Sequence, residues 1–258
     1  MKVRDVWQWI NERAPFDSAE SFDNVGLMMG DLDAPCQTIL FALDATEDVA
    51  DEAIRLGAGL IVTHHPFIFH GIKSIDYTGP QGRVLCKLTQ SRISVLSAHT
   101  NWDKAPGGVS DALAETLGLQ NVERCDDFLR LGQLSKAVSA EEFARIVQDS
   151  LCIRPRVFAL KGKLIQRVAV AGGAYGEAEE LAATLGADAF VVGEIRHHEI
   201  LDACARGLAI YDAGHFHTEL PGIRALYERF SADARLNGWP VQTHLHCNAP
   251  YPGEFLAL

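Results

Sequence analysis

No apolar run in the 258-residue chain approaches the roughly 18 to 20 residues needed to cross a bilayer, which argues against a membrane span. The first residues, "MKVRDVWQWINERAPF", are amphipathic and lack the apolar stretch of a signal peptide, so a cytoplasmic protein is expected. CxxC pairs and zinc-finger spacings are also missing. Cys36, Cys86, Cys125, Cys152, Cys204 and Cys247 are scattered, and read as small buried hydrophobes in a reducing compartment. Basic runs are absent too. With a net charge of −11 this argues against a broad phosphate-backbone grip, and so against a nucleic-acid partner. Gly172, Gly173 and Gly176 in "AGGAYG" have neither GxGxxG spacing nor a following Lys-Ser/Thr, so a tight strand-to-helix turn is favoured over a phosphate loop.

What the chain does have is 48% hydrophobic residues, enough for one large α/β domain or two smaller ones, and ten histidines. A helix is expected from Lys2 to Glu12, with Val3, Val6, Trp7 and Ile10 on one face. A strand over Gln37–Ala45 leads to the helix "EDVADEAIRLGA", with Val49, Ala53, Ile54 and Leu56 inward and Gly57 as its stop. The strand "GLIVT" follows. The same strand–helix–strand order recurs 129 residues later, where "LGADAFVV" stands for "LGAGLIVT". In that register His64 and His65 correspond to Gly193 and Glu194, so the second copy lacks the adjacent pair. Two related α/β halves are therefore expected, 1–125 and 165–258, joined by a connecting segment or small insertion over 126–164. In that segment Ser139 should N-cap a helix, with Glu142 completing a capping box. The tail "WPVQTHLHCNAPYPGEF" reads as an edge strand followed by a proline-rich coil.

The chemistry concentrates where strands end. His64 and His65 follow an apolar β-branched run and are cut off by Pro66, which a central strand excludes. "AHTNWD" and "GHFHTE" both place His-x-x-x-carboxylate at a strand-to-helix junction, as His99/Asp103 and His215/Glu219. Ligands often bind outside the carboxyl ends of strands in open α/β sheets, so the polar tips of the two halves are expected to meet at one site. His64, His65, Asp103, His215 and Glu219 form a mixed imidazole and carboxylate set. It suits zinc, iron, manganese or nickel better than magnesium or copper(I). If one carboxylate bridges, five ligands suffice for two ions about 3.5–4 Å apart. The alternative is that these are ordinary polar residues at strand ends.

Other histidines have two readings each. His99 either orients a ligand or meets a bound water, or is a polar residue at a strand end. His197 and His198 in "GEIRHHE" either bind substrate and transfer protons or begin a surface helix. His99 and His198 are the candidate catalytic residues. His217 lies between ligands or is simply exposed. His244 and His246 share a strand face, which allows a third metal site or an ordinary edge strand.

The motifs "DNVGLMMGD", "THHPFIF", "AHTNWDKAPGGVSDALAETLGL", "GADAFVVGEIRHHE" and "DAGHFHTE" together resemble the NGG-interacting-factor-like family of dinuclear metal proteins, the GTP cyclohydrolase 1 type 2 homologues. The resemblance covers nearly the whole chain in order. It implies the same five ligands, with His64 and Asp103 on one ion, His65 and His215 on the other, and Glu219 bridging. It also implies a toroidal homohexamer with the sites facing an internal cavity. Asp23 and Asn24, a turn by their chemistry alone, match a family motif near that cavity. The reading is a dinuclear metal-dependent hydrolase, GTP cyclohydrolase-like or acting on phosphoesters and nucleotides. The alternative is a non-catalytic metal-binding or chaperone-like interaction protein.

Overall fold

The computed structural model describes residues 1–249, and the coil expected from Pro250 onward lies outside them. The chain gathers into two compact units, Met1–Asn101 with the segment from Tyr227 onward, and Trp102–Leu226. The first begins with α1 (Val3–Arg13), β1 (Gly26–Met29), β2 (Thr38–Ala42), α2 (Glu47–Leu56), β3 (Leu60–Thr63), α3 (Pro80–Gln90) and β4 (Ser94–Ser97). The chain passes through α4 (Thr100–Lys104) into the second unit, with α5 (Val109–Thr116), β5 (Gln120–Arg124), β6 (Arg130–Ser139), α6 (Ala140–Leu151) and β7 (Arg156–Phe158). There follow β8 (Leu164–Ala171), α7 (Glu179–Thr184), β9 (Ala189–Val192), α8 (His197–Ala205) and β10 (Ala209–Asp212). Helix α9 (His215–Leu236) returns to the first unit, which ends with β11 (Gln242–Leu245). Among the described residues, no helix is long and apolar enough to cross a membrane.

The first unit's sheet has the order β1-β4-β3-β2-β11, with β1 antiparallel and the other four parallel. Parallel strands covered on both faces need continuous apolar runs, and all four residues of both β3 and β4 are buried. Gly57 ends α2 with φ +63°, the left-handed cap that glycine adopts without a Cβ penalty. The inward face of α2 is Val49, Ala50 and Ala53, whereas Ile54, expected inside, is 40% exposed. In α1 likewise it is Trp9 rather than Trp7 that is buried. Its indole N–H donates to Asp233 at 2.9 Å and its ring meets Phe230 edge-on.

The second unit's sheet has the order β5-β6-β8-β9-β10-β7, with β8, β9 and β10 parallel and the outer strands antiparallel. Successive residues face opposite sides. Val168, Val170, Ala189 and Val191 build one core, and Ala169, Ala171, Phe190 and Val192 the other. Truncating a fully buried ring such as Phe190 would cost about 3–5 kcal/mol. Segment 126–164, expected as a connector or insertion, is built into this sheet instead: Arg130–Gln133 of β6 pair with Val170–Arg167 of β8. Ser139 does cap α6, accepting the Glu142 N–H at 3.1 Å, an interaction of about 1 kcal/mol. The tail strand β11 is an edge strand as expected, yet it pairs with β2 of the first unit and not with the second half. The internal repeat survives these changes, since β3 and β9 begin 129 residues apart, each followed by polar residues.

Candidate metal centre

In the first unit three imidazoles converge at the C-terminal ends of β3 and β4. Backbone hydrogen bonding runs two residues past the end of β3, with the His64 N–H donating to the Ala42 carbonyl at 3.3 Å and the His65 N–H to the Leu43 carbonyl at 2.9 Å. The Thr63 hydroxyl then folds the chain over by donating to the His65 carbonyl at 2.8 Å. This bend puts His64 and His65 on one side with ring centroids 5.1 Å apart, although neighbours on a strand would point apart. His99, just beyond β4, has its ring 5.1 Å from His64 and 5.6 Å from His65. One ring nitrogen from each of the three lies within 4.8 Å of the others.

Each ring is held by Nδ1. His64 Nδ1 meets the Ala98 carbonyl at 3.0 Å, His65 Nδ1 meets Asp44 at 2.8 Å and His99 Nδ1 meets Asp23 at 2.9 Å. These acceptors place a proton on each Nδ1, the arrangement that orients metal-ligating histidines. The Asp23 side chain is wholly buried. Burial pushes its carboxyl upward, but hydrogen bonds from His99 and Thr100 prevail and hold it well below the usual carboxylate range.

The second unit repeats the device with a different ligand. His215 opens α9, its Nδ1 meets Glu194 at 2.8 Å, and its Nε2 lies 3.0 Å from Glu219 one helical turn on. A proton on Nε2 or a cation between Nε2 and the Glu219 oxygen would each satisfy the pair, so the two residues could hold a metal ion. Donors each roughly 2.0–2.2 Å from a shared zinc-like ion stand about this far apart. Gly173, at φ +65°, is what lets Glu219 in, because a Cβ there would collide with its carboxylate. Gly193 stands where the first half has His64. A Cβ on it would sit 2.6 Å from both the Gly173 carbonyl and Thr218 Oγ1, so a histidine does not fit there. Asp103 lies half-buried on α4, four residues after His99.

The sequence profile of the Duf34/NIF3 (NGG1p interacting factor 3) family matches residues 1–251. This chain belongs to the NIF3 family. A Clostridium perfringens relative named GTP cyclohydrolase 1 type 2 homolog is 35% identical over 89% of this chain and 91% of its own. The crystal structure of a Staphylococcus aureus hypothetical protein superposes with a TM-score of 0.93 at 28% identity, covering 99% of both chains. A Bacillus cereus protein related to NIF3 shares the fold at a TM-score of 0.94 and 24% identity, again over 99% of both.

For this NIF3 chain, sequence reading overlooked Asp44 and gave no role to Glu194, although it aligned Glu194 with His65. Each is a carboxylate at the tip of the strand beside the one that delivers its histidine, Asp44 after β2 and Glu194 after β9. The repeat held a signal for Glu194 alone, since the register that aligns β3 with β9 places it opposite His65, whereas Asp44 falls opposite Gly173. His197 and His198 fall in the exposed first turn of α8, outside the imidazole group of the first unit and the His215–Glu219 pair of the second. His217 turns to the Leu151 carbonyl at 3.1 Å, and burial pushes its pKa down. His246 is buried between Glu52, on its Nδ1, and Asp48, 3.4 Å from its Nε2, and so fastens β11 to α2. His244 is half-buried.

Proposed function

We propose that this NIF3-family chain holds about two divalent transition-metal ions, zinc, iron, manganese or nickel, and hydrolyses a nucleotide or related small molecule with them. The ligands are His64, His65, Asp103, His215 and Glu219. His64 and Asp103 serve one ion, His65 and His215 the other, and Glu219 both. The observation that carries this reading is the anchoring of His64, His65 and His215, each with Nδ1 against a carbonyl or carboxylate oxygen, the arrangement that orients metal-ligating histidines. The name of the Clostridium perfringens relative, GTP cyclohydrolase 1 type 2 homolog, supports ring opening of a purine nucleotide as one such hydrolysis. The proposal includes a toroidal homohexamer, for which light scattering should give six times the chain mass.

Bound ions of this kind polarise a carbonyl or phosphoryl oxygen and acidify water. The chain's own residues do the rest. Asp44, Glu194 and the Ala98 carbonyl keep three imidazoles in the ligating tautomer. Asp23 keeps His99 Nε2 turned toward the other two rings, where it takes the proton of the attacking water and returns it to the leaving group. His198 is the second candidate for proton transfer.

Elemental analysis of gently purified or reconstituted protein should find about two ions per chain. Chelation should abolish turnover of nucleotides or phosphodiesters, followed by product mass, while circular dichroism stays unchanged. Metal-loaded protein that turns over none of them would favour the non-catalytic, chaperone-like reading. A metal content near zero would refute both.

Because His65 and His215 are assigned to one ion, Asp44→Ala and Glu194→Ala should weaken that ion, each by roughly 10- to 100-fold, and spare the other. Titration with a metal-sensitive dye reads the two affinities. Losses falling on different ions would break the pairing.

A further inference from the structure

We infer that Phe22 and Phe69 form an aromatic corner beside the imidazole group and select substrates that carry a planar ring. The inference rests on the proposed function and names the substrate class of the same site. Large aromatic side chains are normally among the most buried, yet Phe22 is 65% exposed and Phe69 38% exposed. Their ring centroids are 6.5 Å apart with planes at 54°, so they form a corner and not a closed stack. Phe69 continues edge-on to His99 at 6.3 Å, and His99 is the ring that touches both His64 and His65.

The corner is fixed in place by the residues that orient the site. Asp23, next to Phe22, holds His99 Nδ1 and the Thr100 hydroxyl. Asn24 donates its amide to the Ile68 carbonyl at 2.5 Å, tying the turn that carries Phe22 to the loop that carries Phe69. Gln81 of α3 donates to the Phe67 carbonyl at 3.1 Å and secures the same loop from the other side. Tying down the backbone on both sides reduces the conformational freedom that binding would cost. Two such rings offer a few hundred Å² at most, below the roughly 800 Å² per partner of a stable protein interface. A single aromatic ring fits that area. Stacked on one phenyl and edge-on to the other, it would direct its substituents toward His99.

The probes are adenosine and guanosine monophosphate against ribose phosphate, which keeps the sugar and phosphate but lacks the ring. Binding is measured by calorimetry on metal-loaded protein, with metal content determined in parallel. Wild type should prefer the nucleotides by roughly tenfold or more, the usual scale of base stacking on an aromatic side chain. Phe22→Ala with Phe69→Ala should bring the ratio near one and leave ribose phosphate affinity and metal content unchanged. Phe22→Leu with Phe69→Leu, which keeps apolar volume without a ring, should lose most of the preference and guards against misfolding of the alanine pair. A wild-type preference under twofold overturns the inference, and so does one that survives in the leucine pair. Protein without metal would refute the proposed function instead, and the nucleotide-to-ribose-phosphate ratio would still report on the corner.

Discussion

Replacing Glu219 by glutamine is expected to strip both metal ions from the protein while leaving the fold in place. Glutamine keeps the shape of the side chain and removes its charge. Glu219 is 5% exposed and its Oε2 lies 3.0 Å from His215 Nε2. If it is the carboxylate both ions share, the ion held by His65 and His215 loses its only carboxylate, and the ion held by His64 is left with Asp103 as its one anion. Each affinity should fall by at least the roughly 100-fold that marks the upper range for residues that only orient a ligand. Single-ligand variants should behave differently. Asp103→Asn should weaken chiefly the ion held with His64, and His215→Ala chiefly the one held with His65. The two cores of the second unit do not include Glu219, so its helix should persist. Metal-resolved titration decides the matter. If Glu219→Gln keeps both ions at wild-type affinity, Glu219 is not the bridge and the assignment of five ligands to two ions fails.

The parts of the fold that were legible in the sequence are those set by local rules. "GLIVT" is continuously apolar and β-branched, and it is the buried strand β3. Gly57 ends α2 because its φ is positive, and Ser139 caps α6 because a hydroxyl can reach the Glu142 N–H. Non-local pairing was not legible. β6 mixes buried and exposed positions, and nothing in that pattern names β8 as its partner, so 126–164 looked like an insertion. β11 reads as an edge strand, but its partner β2 lies some two hundred residues earlier. Ile54 and Trp7 were misplaced for a related reason, since helical period fixes a face only to within a residue or so and the packed neighbours choose which side is covered. At the site, His64, His65, His215 and Glu219 stood out through spacing and residue type. Asp44 and Glu194 did not, because a carboxylate after a strand is common and only the hydrogen bond to an imidazole gives it a role.

Gly173→Ala should dismantle the donor pair of the second unit although it changes no ligand. The reason is steric. Gly173 has φ +65°, where an L-residue pays roughly 1–2 kcal/mol, and its Cβ would occupy the space of the Glu219 carboxylate and come within 3.3 Å of His215 Nε2. Relieving that overlap by turning Gly173 away would pull on its N–H, which donates to Thr218 Oγ1 at 3.1 Å. The cheaper response is rotation of Glu219 away from His215, so metal affinity should fall nearly as far as in Glu219→Gln. Backbone strain alone does not account for such a loss, and Gly186 isolates it. Gly186 has φ +75° with nothing within 4 Å of the point where a Cβ would stand, so Gly186→Ala carries the same strain without the collision. Both variants should lose a similar, small amount of thermal stability when metal-free, measured by calorimetry. Only Gly173→Ala should lose metal in titration. Equal metal affinity in the two variants would mean that Glu219 reaches its place without the cradle that Gly173 provides.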